Sequence, residues 1–373
     1  MKNLFSLPAL ALLLSWAHAA LSDNEVVLNI EPTAEHPRNS EGSFATLQSG
    51  RIIFCYSQFY GGHQDESPAR IAEISSDDQG RTWSAPHLLI DNGGDQNVMS
   101  VTLLRLASGK LALFYAVKRQ SWIDCRPYMQ ISTDDGATWT ERRPVGAAPG
   151  FFVLNNDRVI QTASGRLIAP VAQHRIVGTA DARASWDQRP WTMWYLSDDE
   201  GSHWREAKTW WTMPVVSRSG LQEPGVVQLG DGSLFSWSRT DQGAQYGFRS
   251  SDNGETWSAP EPTELKSPVS PASIRRLPHS SDLLAIYNDH SGRYPFPPKH
   301  RTPLIAAISH DGGRTWPQRR VLEDDPKGWY CYTAIHFVGD QVLLAYCAGD
   351  YPNGLDRLRM RRVALRWFSA EQP

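Results

Sequence analysis

The stretch Ser250-Ser251-Asp252-Asn253-Gly254-Glu255-Thr256-Trp257 decides the fold, because its pattern Ser-x-Asp-x-Gly-x-Thr-Trp recurs along the chain. Four further copies begin at Ser76, Ser132, Ser197 and Ser309. The copy at Ser197 has His203 in the place of the threonine. Successive tryptophans of the pattern lie between 53 and 65 residues apart. That period fits one small antiparallel sheet of about four strands per repeat.

Each copy has the composition of a tight turn between two strands. Its aspartate can accept backbone N–H bonds, its glycine can adopt a positive φ, and its tryptophan can fold back onto a neighbouring sheet. Alternating apolar segments such as Leu111–Tyr115 and Asp282–Tyr287 separate the copies and are typical of short strands. The sequence therefore predicts an all-β radial propeller whose repeated turns are structural.

Composition and charge exclude several classes of protein. The 373 residues are 40% hydrophobic and 21% charged, which is typical of a globular protein and not of a disordered one. The 37 Lys and Arg against 40 Asp and Glu give a net charge of −3, with no long run of one sign. Nucleic acid is therefore not an expected partner.

The first residues have the pattern of a signal peptide. Lys2 supplies a positive charge, Leu4–Trp16 is apolar, and Ala17-His18-Ala19 has the small residues that signal peptidase prefers. We predict a signal peptide over residues 1–19 and a single exported domain over residues 20–373, secreted or periplasmic and monomeric. No later stretch approaches the roughly 18 apolar residues of a membrane-spanning helix.

The cysteines and histidines do not predict a metal site. The four cysteines lack the close paired spacing of a zinc site, so either buried free thiols or one disulfide bridge is expected. Three histidines of the second half also lack metal-ligand spacing: His290, His300 and His336. We expect no metal and no organic cofactor.

The repeated turns resemble the Asp-boxes of the sialidase (neuraminidase) superfamily, and the resemblance extends over nearly all of residues 20–373. It implies a six-bladed β-propeller in which one blade lacks a box and the first and last strands pair to close the ring. Asp-boxes also occur in propellers that only bind ligands, so the function has to be argued from the pocket residues.

A second part of the resemblance concerns candidate catalytic residues. In sialidases a glutamate precedes a strand and an arginine follows it, and Glu223 and Arg239 occupy those places. Arg301 lies where the family has its third arginine. Tyr332, in the segment after the last box, is in register with the family's nucleophile, and Tyr330 is the alternative to it.

The front of the chain departs from the family pattern. The family begins its first blade with Arg-Ile-Pro, whereas this chain has Arg38-Asn39-Ser40-Glu41-Gly42. Arg38 is the candidate for the first arginine. Asp65 is the candidate acid/base in the following loop, and Glu66 and His63 are its competitors.

These residue types suit the cleavage of a sialic acid glycoside. Three guanidinium groups can hold the sugar's carboxylate through forked hydrogen bonds. A tyrosine nucleophile avoids the repulsion that a carboxylate nucleophile would meet at that anionic centre. Glu223 would take the proton of Tyr332, and Asp65 would protonate the leaving oxygen and then activate water.

Polar clusters before two apolar segments are further candidates for binding the sugar. They comprise Asn97 in one repeat and Asn156, Asp157 and Arg158 in the next. Loops of this composition also cap strands without touching a ligand, so both a ligand-binding role and a structural role are open. The segment Ala180–Pro190, which carries Trp186 and Arg189, lengthens its repeat and is expected to reach over the site.

The sequence thus predicts an exo-α-sialidase that releases terminal sialic acid from sialylated glycans with retention of configuration. A non-catalytic sialoglycan-binding propeller is the main alternative. A glycosidase or lyase for another acidic sugar is a third, because a guanidinium pocket does not identify its anion. A trans-sialidase would share every motif.

Overall fold

The structure is a computed structural model that describes residues 22–369. The signal peptide predicted for residues 1–19 lies outside the described residues. Two short helices, α1 (Ala182–Ser185) and α2 (Leu365–Ser369), accompany the strands. The strands, in chain order, are β1 (Asn24–Ile30), β2 (Arg38–Thr46), β3 (Ile52–Phe59), β4 (Ala69–Ser76), β5 (His87–Ile90), β6 (Asn97–Arg105), β7 (Leu111–Gln120), β8 (Asp124–Ser132), β9 (Arg143–Pro144), β10 (Phe151–Val153), β11 (Ile160–Gln161), β12 (Leu167–His174), β13 (Trp191–Ser197), β14 (Arg205–Glu206), β15 (Gln222–Gln228), β16 (Leu234–Arg239), β17 (Tyr246–Ser250), β18 (Glu261–Pro262), β19 (Ser273–Arg276), β20 (Leu283–Asn288), β21 (Leu304–Ser309), β22 (Gln318–Glu323), β23 (Gly328–Val338), β24 (Gln341–Asp350) and β25 (Leu358–Ala364).

The strands form an all-β propeller. Three sheets take four consecutive strands each: β2 to β5, β15 to β18, and β19 to β22. A fourth sheet has the order β1-β25-β24-β23, so the first strand pairs antiparallel with the last. Strands β6 to β14 form one nine-stranded sheet, in which a single parallel pair, Phe151 with Cys125, joins β10 to β8.

Neighbouring sheets contact one another through strands on their inner side. β23 contacts β2, β2 contacts β6, β12 contacts β15, β15 contacts β19, and β19 contacts β23. The strand next to each of them is almost entirely buried; all eight residues of β3, for example, are buried. The core therefore lies between neighbouring sheets, and the inner strand ends meet near one axis.

The five repeated turns begin at the last residue of β4, β8, β13, β17 and β21, and the sheet formed by β23 to β25 with β1 has none. In the last copy the Ser309 hydroxyl accepts from the Gly313 backbone N–H at 2.8 Å and donates to Asp311 at 2.8 Å. Asp311 also accepts from the Thr315 backbone N–H at 2.9 Å and from its hydroxyl at 2.7 Å. Gly313 has φ +83°, where a side chain would strain the backbone.

The tryptophans of these turns pack between sheets, as the sequence predicts. Trp257 lies parallel to Trp194 of β13, with the ring centroids 4.3 Å apart. Trp204 meets Phe114 of β7 edge to face at 6.2 Å. Trp316 is fully buried in a cluster with Phe235 of β16. Trp257 and Trp316 thereby tie their own sheets to the preceding one, which stabilises the ring by burying large aromatic surfaces.

All four cysteines are buried free thiols, so the structure contains the first of the two expected alternatives. Cys331 and Cys347 lie opposite each other in the pairing of β23 with β24. Among the helices within residues 22–369, none has the length and apolar character that crossing a bilayer requires.

Candidate active site

Four inner strands carry a bulge at the same relative position. The pairing register shifts within β2, β6, β15 and β23, and one residue in each bulge has a positive φ. These residues are Glu41, Ser100, Glu223 and Tyr332, with φ between 48° and 62°. Positive φ is costly for residues other than glycine and commonly marks functional sites. The bulges turn these four side chains towards the axis, where they line a common cavity.

Tyr332 and Glu223 form the centre of the site. The Tyr332 hydroxyl donates to Glu223 Oε1 at 3.1 Å, and both side chains are largely buried. Burial and the negative charge of Glu223 raise the pKa of Tyr332 despite two nearby arginines. The phenol is therefore protonated at neutral pH and hydrogen-bonded to a carboxylate that can take its proton. Tyr330, the alternative, lies instead in an apolar cluster with Tyr346.

Two arginines lie beside this pair. Arg239 Nη2 is 3.1 Å from Glu223 Oε1, and its Nη1 is 3.5 Å from the Tyr332 hydroxyl. Gln222 accepts from Arg239 Nε and Nη2 at 3.0 and 2.7 Å and so orients the guanidinium. The Arg301 guanidinium lies 5.5 Å from the centre of the Tyr332 ring. Its Nη2 donates to the Val269 carbonyl, and its Nε is buried without a hydrogen-bond partner.

Arg38 is 1% exposed and bonds to two carboxylates. Its Nη2 donates to Glu41 Oε1 at 3.1 Å and its Nη1 to Asp65 Oδ1 at 2.6 Å. Its Nε donates to the Ser40 hydroxyl, and its guanidinium lies over the Phe59 ring at 4.2 Å. Arg38 thus has less free hydrogen-bonding capacity than Arg301.

Two adjoining cavities open around these groups. The first, the anion cavity, has a volume of about 290 Å³ and brings together Arg38, Asp65, Arg239, Arg301, Trp329 and Tyr332. The second, the apolar chamber, has a volume of about 140 Å³, and its wall includes Met99, Ala116, Trp122, Phe151 and Trp186. Tyr332, Asp65 and Arg239 border both cavities. A sugar ring over Tyr332 would therefore have guanidinium groups on one side and an apolar recess on the other.

The three candidates for the acid/base lie at different places in this site. Desolvation would raise the pKa of Asp65, but Arg38 and Lys118 outweigh it and lower the pKa to about 2. Glu66 borders the apolar chamber, and burial raises its pKa. His63 borders the anion cavity and lies 3.4 Å from Asp356. Asp65 alone among the three borders both cavities.

None of the remaining polar candidates borders the anion cavity or the apolar chamber, and three of them, Asn97, Asn156 and Asp157, are hydrogen-bonded to protein atoms. The Asn97 amide donates to the carbonyls of Asp65 and Ser67 at 2.8 and 3.0 Å. The Asn156 amide donates to the Tyr332 carbonyl at 3.1 Å.

Asp157 and Arg158 likewise lie outside both cavities. Asp157 accepts from the Ile335 backbone N–H at 3.1 Å and pairs with Arg275 at 2.7 Å. Arg158 is 2% exposed, and its guanidinium lies 5.7 Å from the Trp237 ring. Its burial lowers the pKa to about 10.

Several site residues were missed by reasoning from sequence. Glu41 and Ser100 carry no local mark, because a bulge depends on pairing with the next strand. Lys118 is 4% exposed and donates to the Asp65 carbonyl at 2.5 Å. In the sequence, its position at the end of an apolar strand was the one feature that could have marked Lys118 as a site residue. Trp122, with φ +64°, lies in the hairpin between β7 and β8 and borders the apolar chamber.

The inserted segment is divided between two surfaces. Trp186 borders the apolar chamber and stacks on His174, with ring centroids 4.3 Å apart. Arg189 instead points to an outer surface, where it pairs with Asp187 at 2.9 Å. The segment therefore reaches the site through Trp186 and not through Arg189.

The fold and the site's composition define a sialidase-like Asp-box propeller. The chain belongs to the BNR repeat-like domain family, whose model matches residues 55–344. No curated protein matches the sequence.

Solved structures show the same fold at low identity. The Hadza microbial sialidase Hz136 is 20% identical, with 90% of this chain and 67% of that chain covered and a TM-score of 0.70. The NanB sialidase from Streptococcus pneumoniae is 14% identical, with 92% and 71% covered and a TM-score of 0.70. The intramolecular trans-sialidase from Ruminococcus gnavus is 16% identical, with 93% and 98% covered and a TM-score of 0.69.

Proposed function

We propose that this protein is an exo-α-sialidase that hydrolyses terminal sialic acid from glycoconjugates with retention of configuration. The hydrogen bond of 3.1 Å between Tyr332 and Glu223, facing a cavity bordered by three arginines, carries the proposal. A tyrosine paired with a base is an activated nucleophile, and clustered guanidinium groups are receptors for a carboxylate.

In the proposed reaction, Arg301 and Arg239 hold the sugar's carboxylate with a contribution from Arg38. Tyr332 attacks the anomeric carbon while Glu223 accepts its proton. Asp65 protonates the departing oxygen. It then deprotonates the water that releases the sugar from Tyr332. Two displacements at the same carbon retain its configuration.

The apolar chamber supports a sugar that carries an acyl substituent. Sialic acids have an acetamido group, and its methyl matches the apolar wall formed by Met99, Ala116 and Phe151. Burying one methyl group contributes on the order of 1 kcal/mol to binding. A uronic acid has no such group and would leave the chamber unfilled.

We further propose that the nine-stranded sheet counts as two blades, because a single parallel residue pair joins its halves. The propeller then has six blades, and the domain is exported as a monomer after residues 1–19 are removed. Asn97, Asn156, Asp157 and Arg158 act as positioning residues, which is supported by their contacts with the backbone and with neighbouring side chains.

A sialoglycan-binding propeller without turnover is the second candidate. It is favoured by one observation: Asp65 is paired with Arg38 and ionised, so the free protein holds no proton on its candidate acid. Arg239 and Arg301 would still bind the carboxylate in that case.

The test is release of free sialic acid from α2,3- and α2,6-linked sialyl oligosaccharides by the purified protein. Tyr332→Phe should reduce release by at least about 10³-fold, because the nucleophile is lost. The matched control Tyr330→Phe removes a hydroxyl two residues away, outside both cavities, and should leave release within about twofold. Binding without release would favour the second candidate. Neither binding nor release would point to another acidic sugar, and transfer to an added sugar acceptor would reveal a trans-sialidase.

A further inference from the structure

The two carboxylates on Arg38 differ in how firmly they are held. Glu41 lies on the same strand, is 4% exposed, and also accepts from the Ser100 hydroxyl at 2.5 Å. Asp65 lies in the loop between β3 and β4, and 57% of its side-chain surface is exposed. Within residues 22–369, Arg38 is the one hydrogen-bond donor to the Asp65 carboxylate. Glu41 is therefore fixed by two bonds, and Asp65 by one.

The backbone of Asp65 is anchored independently of its carboxylate. Its carbonyl accepts from Asn97 Nδ2 at 2.8 Å and from Lys118 Nζ at 2.5 Å, and both donors are buried. Rotation about the side-chain torsions can thus move the carboxylate away from Arg38 without moving the loop. Such rotations in exposed side chains are fast compared with typical turnover.

This ion pair conflicts with the role proposed for Asp65. A general acid must carry a proton when the glycosidic bond breaks. A carboxylate 2.6 Å from a guanidinium is stabilised in its ionised form, and the pKa of Asp65 is lowered to about 2. The arrangement in the free protein is therefore that of a base and not of an acid.

We propose that the substrate's carboxylate replaces Asp65 on Arg38 Nη1, while Glu41 remains as the permanent partner that holds Arg38 in place. The released Asp65 side chain then turns towards the glycosidic oxygen and takes up one proton from solvent. Apart from the new O–H bond of Asp65, whose proton is given up by hydronium or buffer acid in the solvent, the exchange makes and breaks only hydrogen bonds and ion pairs. The proposal rests on the proposed sialidase function, and it makes Glu41 a positioning residue for Arg38.

The charges around Asp65 determine whether its pKa rises or falls when a ligand binds. They come from several elements around its loop. These charges are Arg38 and Glu41 on β2, His63 and Glu66 in the loop itself, Lys118 on β7, Arg183 on α1, Arg239 on β16, and Asp356 between β24 and β25. Ligand binding removes the Arg38 bond and adds a negative charge nearby, and both changes raise the pKa of Asp65. Lys118 and Arg239 lower it in both states. Between the free and the bound pKa, binding must therefore take up a proton.

Calorimetric titration of the full chain carrying Tyr332→Phe tests the exchange without turnover. Methyl α-sialoside is titrated at pH 5.5 in two buffers of different ionisation enthalpy, which gives the number of protons taken up on binding. We expect an uptake of about 0.5 to 1 proton, because Asp65 is ionised in the free protein at that pH. The methyl ester of the same sialoside, which lacks the anion, should show none.

Two further variants in the same background assign the proton. Adding Asp65→Asn should abolish the uptake while binding persists. Adding Glu41→Gln should preserve it, since the amide oxygen still accepts from Arg38. Binding without uptake would overturn the exchange while leaving the sialidase proposal standing. Uptake that survives Asp65→Asn, or that disappears in Glu41→Gln, would overturn it by placing the proton on another group. Absence of binding would overturn both proposals.

Discussion

The repeated turns lead into the outermost strands, and these outer turns are built in the opposite way to the bulges of the inner strands. In the turn at Ser309, the serine, aspartate and threonine side chains are all hydrogen-bonded to one another or to the backbone. At the inner ends, Glu223 Oε2 and Arg301 Nε are buried without hydrogen-bond partners. Unpaired buried polar atoms cost stability and leave capacity for a ligand. Trp316 Nε1 of that turn is also buried without a partner, so the two regions differ in their carboxylates. The comparison teaches that the repeated turn uses both oxygens of Asp311 in structural hydrogen bonds, whereas the site leaves one oxygen of Glu223 without a partner.

The largest effect that separates the two regions should come from Glu223→Gln. The amide cannot accept the phenolic proton, so kcat should fall by about 10²- to 10³-fold. The free energy of unfolding should fall only slightly, because Arg239 loses its charged partner while Gln222 and the new amide oxygen can still accept from it. Initial rates and urea denaturation measure the two quantities.

Glu255→Gln is the matched control in an outer turn, where Glu255 pairs with Arg166 and Arg205. Its turnover should equal that of the unaltered protein. A large loss of activity in Glu255→Gln, or none in Glu223→Gln, would break the division between the two regions.

Arg301→Lys should have the next largest effect. Lysine supplies a point charge in place of a fork, so the Kd for a sialoside should rise by about 10- to 100-fold. Arg314→Lys, in the last outer turn, is its control and should leave the Kd unchanged. Calorimetry in the Tyr332→Phe background checks both, and equal Kd values would remove Arg301 from the anion site.

A substitution in an outer turn should show the reverse behaviour. Asp311→Asn weakens the hydrogen bonds to Ser309 and Thr315, so the free energy of unfolding should fall by about 1 to 2 kcal/mol. The turnover of the folded fraction should not change. A loss of kcat without a loss of stability would show that the turns take part in the chemistry.

The smallest expected effect is the response of the turns to acid. Desolvation would raise the pKa of Asp78 and Asp311, but hydrogen bonds from Thr82 and Thr315 outweigh it and lower both to about 2. Unfolded aspartate has a pKa of about 3.9, so this stabilisation is complete above about pH 4 and is lost as the pH falls through 2. The thermal midpoint should therefore decrease between pH 4 and pH 2. Asp311→Asn should flatten that decrease slightly, and an unchanged slope would contradict the assignment.

The turns were predictable from sequence because their chemistry is local. Eight consecutive residues contain the donors, the acceptors and the positive-φ glycine of each turn. They also include the tryptophan, which packs against a neighbouring strand. The pairing of β1 with β25 was expected only from the resemblance, since no local pattern links two ends of a chain. The single parallel pair that joins β8 to β10 has no mark in the sequence.

The site was predictable in part, for a related reason. Arg239, Arg301 and Tyr332 were selected because they follow the order of the catalytic residues in the family. The structure places all three around one cavity. Glu41 could not be found in this way, because its orientation depends on a bulge opposite β3. Gly42 beside it is the one sign of the bulge in the sequence, because a Cβ added there would lie 2.2 Å from the Phe54 ring. Contacts between sheets, such as Lys118 with the Asp65 carbonyl, depend on the closed ring and not on either segment.

The pairing of the first strand with the last has a consequence for the timing of folding. Asn24–Ile30 is made before its partner Leu358–Ala364, and the strands of all the other sheets lie between them in the chain. Until then the ring cannot close, and the groups around Tyr332, drawn from opposite ends of the chain, cannot assemble. Contacts between such distant segments form slowly, and the open edge is prone to wrong pairing while it waits. Affinity for a sialoside should therefore appear only after Leu358–Ala364 has paired with Asn24–Ile30, so that binding reports correct closure of the ring.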